Sequence, residues 1–214
     1  MVGLLMIIPL LPFYVKALGE NGVQVFGFRL GIGIITAVIV SAFTVAQLLS
    51  APMWGRFSDR VGRRPTLIIA LAASAVAYLI FGFAHSLFLL FLSRIVQGAG
   101  GGTVGVIQAY VADTTKPEDR ARALGWLSAT TNLGVALGPV LGSFAVWLGK
   151  LSFVPHPGGI DMRYAAPGIL AAALCLLNMA FAWKFLTESR DPNDHVATDE
   201  PRKTSRGRSP FERD

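Results

Sequence analysis

Two long apolar runs flank the ten residues GRFSDRVGRR, Gly55 to Arg64, and this arrangement restricts the chain to very few architectures. Leu30 to Gly55 carries no formal charge, and Pro65 to Ala112 carries one, Arg94. Between them lie Arg56, Asp59, Arg60, Arg63 and Arg64. About 20 apolar residues in a helix cross roughly 30 Å of hydrocarbon. Short Arg-rich connections between such helices stay on the cytoplasmic side. The pattern therefore predicts a helix–loop–helix passing through a membrane and back, with the loop inside the cell.

The rest of the chain agrees. Hydrophobic residues make up 53% and charged residues 15%, and the mean hydropathy is +0.54. A soluble domain carries about 25% charged residues. The 23 Gly and 12 Pro would weaken soluble helices, but both are common in spanning ones. Cys175 is the one cysteine, so no intrachain disulfide forms. The opening MVGLLMIIPLLP has no basic leader and does not read as a secretory signal. The net charge of +6 resides in loops and in a basic tail, and nucleic acid is not an implied partner.

Six spans are predicted, near 1–17, 30–53, 65–84, 87–111, 122–149 and 164–185. The first is short, as a truncated or mis-started helix would be. Fourteen Lys and Arg fall in segment 55–64, segment 112–122 and the stretch from Lys184 onward, against four at Lys16, Arg29, Lys150 and Arg163. This asymmetry puts both termini in the cytoplasm and makes the chain a multi-pass protein of the plasma (inner) membrane. The domain division is a six-helix bundle over 1–187 and a polar, disordered cytoplasmic linker or tail over 188–214.

Several polar or small residues stand where a mere lipid anchor would not need them. Gly55 is expected to end the second span, and Gly62 to permit a tight turn. Asp59 is the one acid among four Arg, placed to cap a helix N-terminus or pair with an Arg. Arg94 lies eight residues into the fourth span, roughly 12 Å deep. An Arg at the centre of a span costs ~2.5–3.5 kcal/mol and should face the bundle interior with a partner, here carbonyls and Gln97. Gly98 and Gly102 share its face and allow close helix approach. In the fifth span Gly134, Gly138 and Gly142 make one smooth stripe, and Pro139 should kink it. Gln108 and Asn132 either line a cavity or bond across helices. Trp54, Trp126, Trp147 and Tyr164 are expected to be interface anchors.

Four of these stretches, in order, resemble motifs of the major facilitator superfamily. GRFSDRVGRR resembles its loop motif between helices 2 and 3, and RIVQGAGGG at 94–102 its fourth-helix motif. GVALGPVLGS at 134–143 resembles the fifth-helix motif of antiporters. IIPLLP at 7–12 resembles the first-helix motif of drug:proton antiporters, the branch of tetracycline and multidrug exporters. The resemblance covers 1 to about 188 and implies an all-α polytopic fold, one six-helix half of a longer bundle. It implies that Gly55, Asp59, Arg60, Gly62, Arg63 and Arg64 form a cytoplasmic gate, that Arg63 pairs with Asp113, and that Asp59 docks on a second half. It implies that Arg94, with Gln97 and Gly98, tunes a proton-binding carboxylate of the first helix. None stands there in this chain, since Glu20 lies beyond the outer end, and a missing leader is the expected place for it. It further implies that Gly134, Gly138, Pro139 and Gly142 pack on the second half.

Enzyme chemistry finds no footing. GAGGG lacks the Lys and Ser/Thr of a phosphate loop. His85, His156 and His195 have no metal-ligand spacing, and no cofactor or metal is expected. The expected function is secondary active transport, with protons driving export of small amphipathic molecules by alternating access. The partners are a small-molecule substrate, protons, the bilayer, and a carboxy-terminal half or second copy. Two alternatives stay open: a metabolite or sugar symporter or facilitator, and a truncated chain that does not transport. The faces carrying Ser41, Ala46, Gln47, Ser50 and Gly138 are expected to lie open until a second bundle covers them.

Overall fold

The structure is a computed structural model that describes residues 2–18, 23–25, 28–151 and 162–188. Nearly all of it is helical. The first span is α1 (Val2–Ile7), one 3₁₀ turn at Ile8–Leu10 and α2 (Leu11–Leu18). A short antiparallel pair, β1 (Val23–Val25) and β2 (Phe28–Leu30), leads into the second span, α3 (Ile32–Val61). The third is α4 (Arg63–Gly82). The fourth is α5 (Leu87–Gly101) followed by α6 (Val104–Thr114). A 3₁₀ turn at Pro117–Asp119 opens the fifth, α7 (Arg120–Leu151), and α8 (Met162–Phe185) is the sixth. Among the described residues, five of these spans are long and apolar enough to cross a membrane, and the first is a shorter apolar helix, Leu5–Leu18.

Sequence chemistry accounts for the boundaries. Pro9 and Pro12 each remove a backbone donor, which is why the first span passes through a 3₁₀ turn rather than one continuous ladder. The Ser86 hydroxyl accepts from the Leu89 amide, 3.2 Å, and caps α5. The expected end of the second span at Gly55 is wrong. The helix runs on to Val61, and Gly55 is an interior residue with nothing packed on it. Charged side chains suit a helix that has left the hydrocarbon, and Asp59 near its end pairs across the turn with Arg63 at the start of α4. One residue, Gly62, makes the reversal into α4.

The core forms around the first span. Met6, Ile7, Leu11, Tyr14 and Val15 are buried against Ile39, Tyr78, Phe81, Leu90, Ala171 and Ala172, residues of α3, α4, α5 and α8. The Tyr14 and Phe81 rings lie 4.7 Å apart. Helix α4 packs on α8 and α5, α3 on α5, and α7 on α1 and α8. Small residues set these crossings. A Cβ at Gly138 would meet the Leu5–Met6 backbone, and one at Gly142 would collide with the Met6 carbonyl oxygen. The smooth stripe of the fifth span therefore seats the first span within this bundle. The expectation that it waits open for a second bundle is corrected, because α1 is the nearest backbone that fits a surface without side chains. Ala46 and Ser50 are likewise met, by Gly98 of α5 and by Gly102 just after it, whereas Ser41 is exposed. The outer surface is apolar: Leu48, Leu49 and Met53 on α3, and Trp126, Val140 and Phe144 on α7, are more than half exposed.

Candidate functional site: the charge cluster at Arg63 and the buried Arg94

At one end of the bundle the reversal at Gly62 has φ 108° and ψ 159°, a conformation essentially reserved for glycine. It turns Arg63 back over the end of α3. Arg63 Nη1 lies 3.0 Å from Asp59 Oδ1, and its Nε donates to Asp113 Oδ2 at 3.1 Å. Nη1 also donates to the Ser58 hydroxyl, 2.8 Å, which is fully buried below it. One guanidinium thus ties the ends of the second, third and fourth spans. Arg63 is only 13% exposed, whereas Asp59 and Asp113 are 52% and 40% exposed, so water weakens each pair taken alone. The planar, permanently charged fork makes Arg the residue suited to hold two carboxylates at once. Arg56 and Arg60 are exposed and contribute charge to this surface.

The cluster contains a residue that the sequence placed in the tail. Glu188, just past α8, accepts from the Arg63 amide at 2.9 Å and the Arg64 amide at 3.2 Å. A carboxylate at a helix N-terminus satisfies orphan amides and meets the positive end of the dipole. Glu188 therefore caps α4 from across the sequence, while Asp59 pairs with the Arg63 side chain. The carboxylate fills the space a Cβ on Gly62 would take, 2.7 Å away. Arg64 Nη2 donates to the Trp183 carbonyl at 2.6 Å and adds a second tie from α4 to α8. Arg120 Nε donates to the Ala112 and Thr115 carbonyls, 3.0 and 3.4 Å, and closes the C-terminal end of α6. The one hint of Glu188 in the sequence was an acid directly after the last apolar run.

Arg94 is 1% exposed, at the centre of the helix bundle. Its Cζ sits 4.5 Å from the centroid of the Phe81 ring. None of its three guanidinium nitrogens has a hydrogen-bond partner among the described residues. The expected carbonyls and Gln97 do not serve it. Gln97 instead donates to the Tyr78 hydroxyl at 2.7 Å, and its own Oε1 is buried without a partner among the described residues. That hydroxyl lies against Gly3, where a Cβ would come within 2.6 Å of it. Two α5 side chains with unmet hydrogen-bonding capacity thus face the first span in an otherwise apolar core. Such a core is poised to hold an anionic or water-borne partner for Arg94.

Gln108 and Asn132 come together elsewhere. Both line an open groove of about 830 Å³ between α6 and α7, with Val104, Leu127, Thr131 and Gly134. The lining residues do not include Arg94, Gln97 or Gly98. Pro139 lies inside α7, and the Ser143 hydroxyl donates to its carbonyl, 3.0 Å. Trp54, expected as an interface anchor, donates its indole N–H to the Ala99 carbonyl of α5. Trp126 and Trp147 remain exposed, and the Tyr164 side chain lies outside the described residues.

The comparisons with known proteins follow this geometry. The family model of the Major Facilitator Superfamily matches residues 1–212. The chain is 32% identical over 162 residues to the class B tetracycline resistance protein of Escherichia coli, covering 76% of this chain and 37% of that protein. It is 34% identical over 199 residues to the class G tetracycline resistance protein of Vibrio anguillarum, covering 93% of this chain and 44% of the relative. The crystal structure of the human organic anion transporter MFSD10 (TETRAN) superposes with a TM-score of 0.68 at 25% identity, over 89% of this chain and 45% of that one. The chain belongs to the Major Facilitator Superfamily and is a multi-pass integral membrane protein. It spans less than half the length of these relatives.

Proposed function

We propose that this chain serves as the amino-terminal half of a proton-coupled exporter of small amphipathic molecules, working by alternating access. The observation that carries the reading is the pairing of two features. A multi-helix charge cluster at the cytoplasmic end is centred on Arg63. A buried Arg94 lies in the membrane core without a hydrogen-bond partner among the described residues. The first binds the ends of several spans of this half into one unit, with the half-exposed Asp59 at the surface that a second half meets as the two rock against each other. The second is too costly to retain in hydrocarbon for packing alone. The tetracycline resistance proteins among its relatives support export and an amphipathic substrate. The orientation follows the basic cluster, with both termini and residues 189–214 on the cytoplasmic side.

The test uses everted membrane vesicles that contain the chain with a complementary six-helix half. Acidifying the lumen should drive accumulation of a tetracycline or a cationic amphipathic dye, and Arg94→Ala should abolish it. Flux indifferent to the pH gradient would make the protein a facilitator. Flux in the direction of proton movement would make it a symporter.

A further inference from the structure

Two rungs join the third and fourth spans. Helix α4 presents Tyr78 and Phe81, about one turn apart, and α5 runs back past them with Gln97 and Arg94. Gln97 Nε2 donates to the Tyr78 hydroxyl at 2.7 Å, and Arg94 Cζ lies 4.5 Å from the Phe81 ring centroid. All four side chains are buried. The first span closes on both rungs. The Tyr78 hydroxyl occupies the place that a Cβ on Gly3 would take, 2.6 Å away. Tyr14 packs on Phe81 with ring centroids 4.7 Å apart. The two rungs differ in chemistry. One is a hydrogen bond between neutral groups. The other holds a cation on a ring that attracts its charge, while its N–H groups find no acceptor among the described residues.

Arg94 and Gln97 are three residues apart on one helix, a spacing at which side chains meet. A charge-assisted hydrogen bond from the guanidinium to the Gln97 carbonyl oxygen would be the stronger contact for that amide. It is not made. The Arg94 nitrogens and Gln97 Oε1 are all buried without partners among the described residues. The Gln97 amide is tied to α4 by the Tyr78 hydroxyl, and Gly3 leaves the phenol room to reach it. We propose that Tyr78 is a positioning residue, which holds Gln97 off Arg94 and keeps the guanidinium N–H groups open for an acceptor that arrives during transport. Without the phenol hydroxyl the amide turns onto Arg94, and an arriving acceptor must displace it. Hydrogen bonds to charged groups are strong enough that this competition weakens the acceptor about tenfold or more. The inference deepens the exporter reading and rests on it for the arriving acceptor.

The test reads Arg94 directly. Nuclear magnetic resonance of the full chain, with isotope-labelled arginine in lipid nanodiscs, gives the Nε–H proton signal of Arg94, identified by its loss in Arg94→Met. Hydrogen bonding moves such a signal downfield. Tyr78→Phe keeps the ring and should shift it downfield, and adding Gln97→Leu should return it to the parent position. Gly3→Ala displaces the hydroxyl without altering either partner, and it should give the same shift if Tyr78→Phe does not fold. In everted vesicles with the complementary half, proton-driven flux should fall about tenfold in Tyr78→Phe and rise again when Gln97→Leu is added. A packing role alone predicts that the second substitution worsens the first. An unshifted signal, a shift that Gln97→Leu leaves in place, or undiminished flux in Tyr78→Phe would overturn the assignment. The two readings fail separately. A signal that shifts and returns, with no proton-driven flux even in the parent, would count against the exporter reading. Proton-driven flux in the parent, with an unmoved signal in Tyr78→Phe, would count against Tyr78 alone.

Discussion

Arg63 and Glu188 show how single residues join helix ends that are far apart in sequence. Glu188 meets two amides of α4 through the space left by Gly62. Glu188→Gln keeps an acceptor but loses the charge at the dipole, so it should destabilise by about 0.3–1 kcal/mol. Gly62→Ala must strain φ and displace the carboxylate, a cost of order 1–3 kcal/mol. Thermal unfolding in detergent checks both, and a larger loss for Glu188→Gln than for Gly62→Ala would contradict this ranking. Arg94 gives a prediction of opposite sign. A buried guanidinium without hydrogen bonds is a liability that an apolar side chain of similar length removes. Arg94→Met should therefore leave thermal stability equal or higher while abolishing proton-driven flux of the assembled transporter. A clear drop in stability would mean that Arg94 is satisfied by groups beyond the described residues.

Between elements, the decisive contacts are made by residues without side chains. Gly138 and Gly142 bring α7 onto the backbone of α1. Gly142→Leu must push the two spans apart, and overpacking of this kind costs about 1–3 kcal/mol. Gly105→Ala, where nothing lies within 4 Å of the added Cβ, is the control and should be neutral or slightly stabilising. Equal melting temperatures for the two variants would remove the assigned role of the Gly stripe. That such stripes exist was legible from their spacing of four. Which helix each one receives was not, because a smooth face accepts any backbone that topology delivers. The resemblance sent Gly138 to a second half, and the bundle gives it to the first span.

For the whole molecule, the exposed apolar faces of α3 and α7 are where lipid or a second bundle must lie. Purified chain alone in liposomes under a proton gradient should show no saturable flux. Gradient-dependent transport by a verified monomer would show that six spans suffice. Topology can be read by cysteine labelling in the Cys175→Ala background. Ser58 is unsuitable for the label because it is fully buried under Arg63, so Arg60→Cys and Lys150→Cys, both exposed, are the sites. Intact cells should admit an impermeant reagent to Lys150→Cys and exclude it from Arg60→Cys, and the reverse pattern would invert the orientation.

The amino-acid sequence by itself determined the solvent, the number of spans and their approximate limits. Long uncharged runs have no stable place except in hydrocarbon, and an Arg-rich turn has none inside it. It also singled out Arg94, because charge within a span is rare enough that each instance needs a reason, and the family resemblance paired Arg63 with Asp113. Tertiary structure alone decided the partners. The α3 helix ran past Gly55 because its last turns stand in water and end in an ion pair. Glu188 found the α4 amides because α8 ends beside them, and Arg94 lost Gln97 to the Tyr78 hydroxyl. The break at Gly102–Thr103 has no local signal beyond glycine. There Trp54 of α3 donates to the Ala99 carbonyl and Gln47 to the Gly101 carbonyl, contacts that arise only once the two spans are packed together.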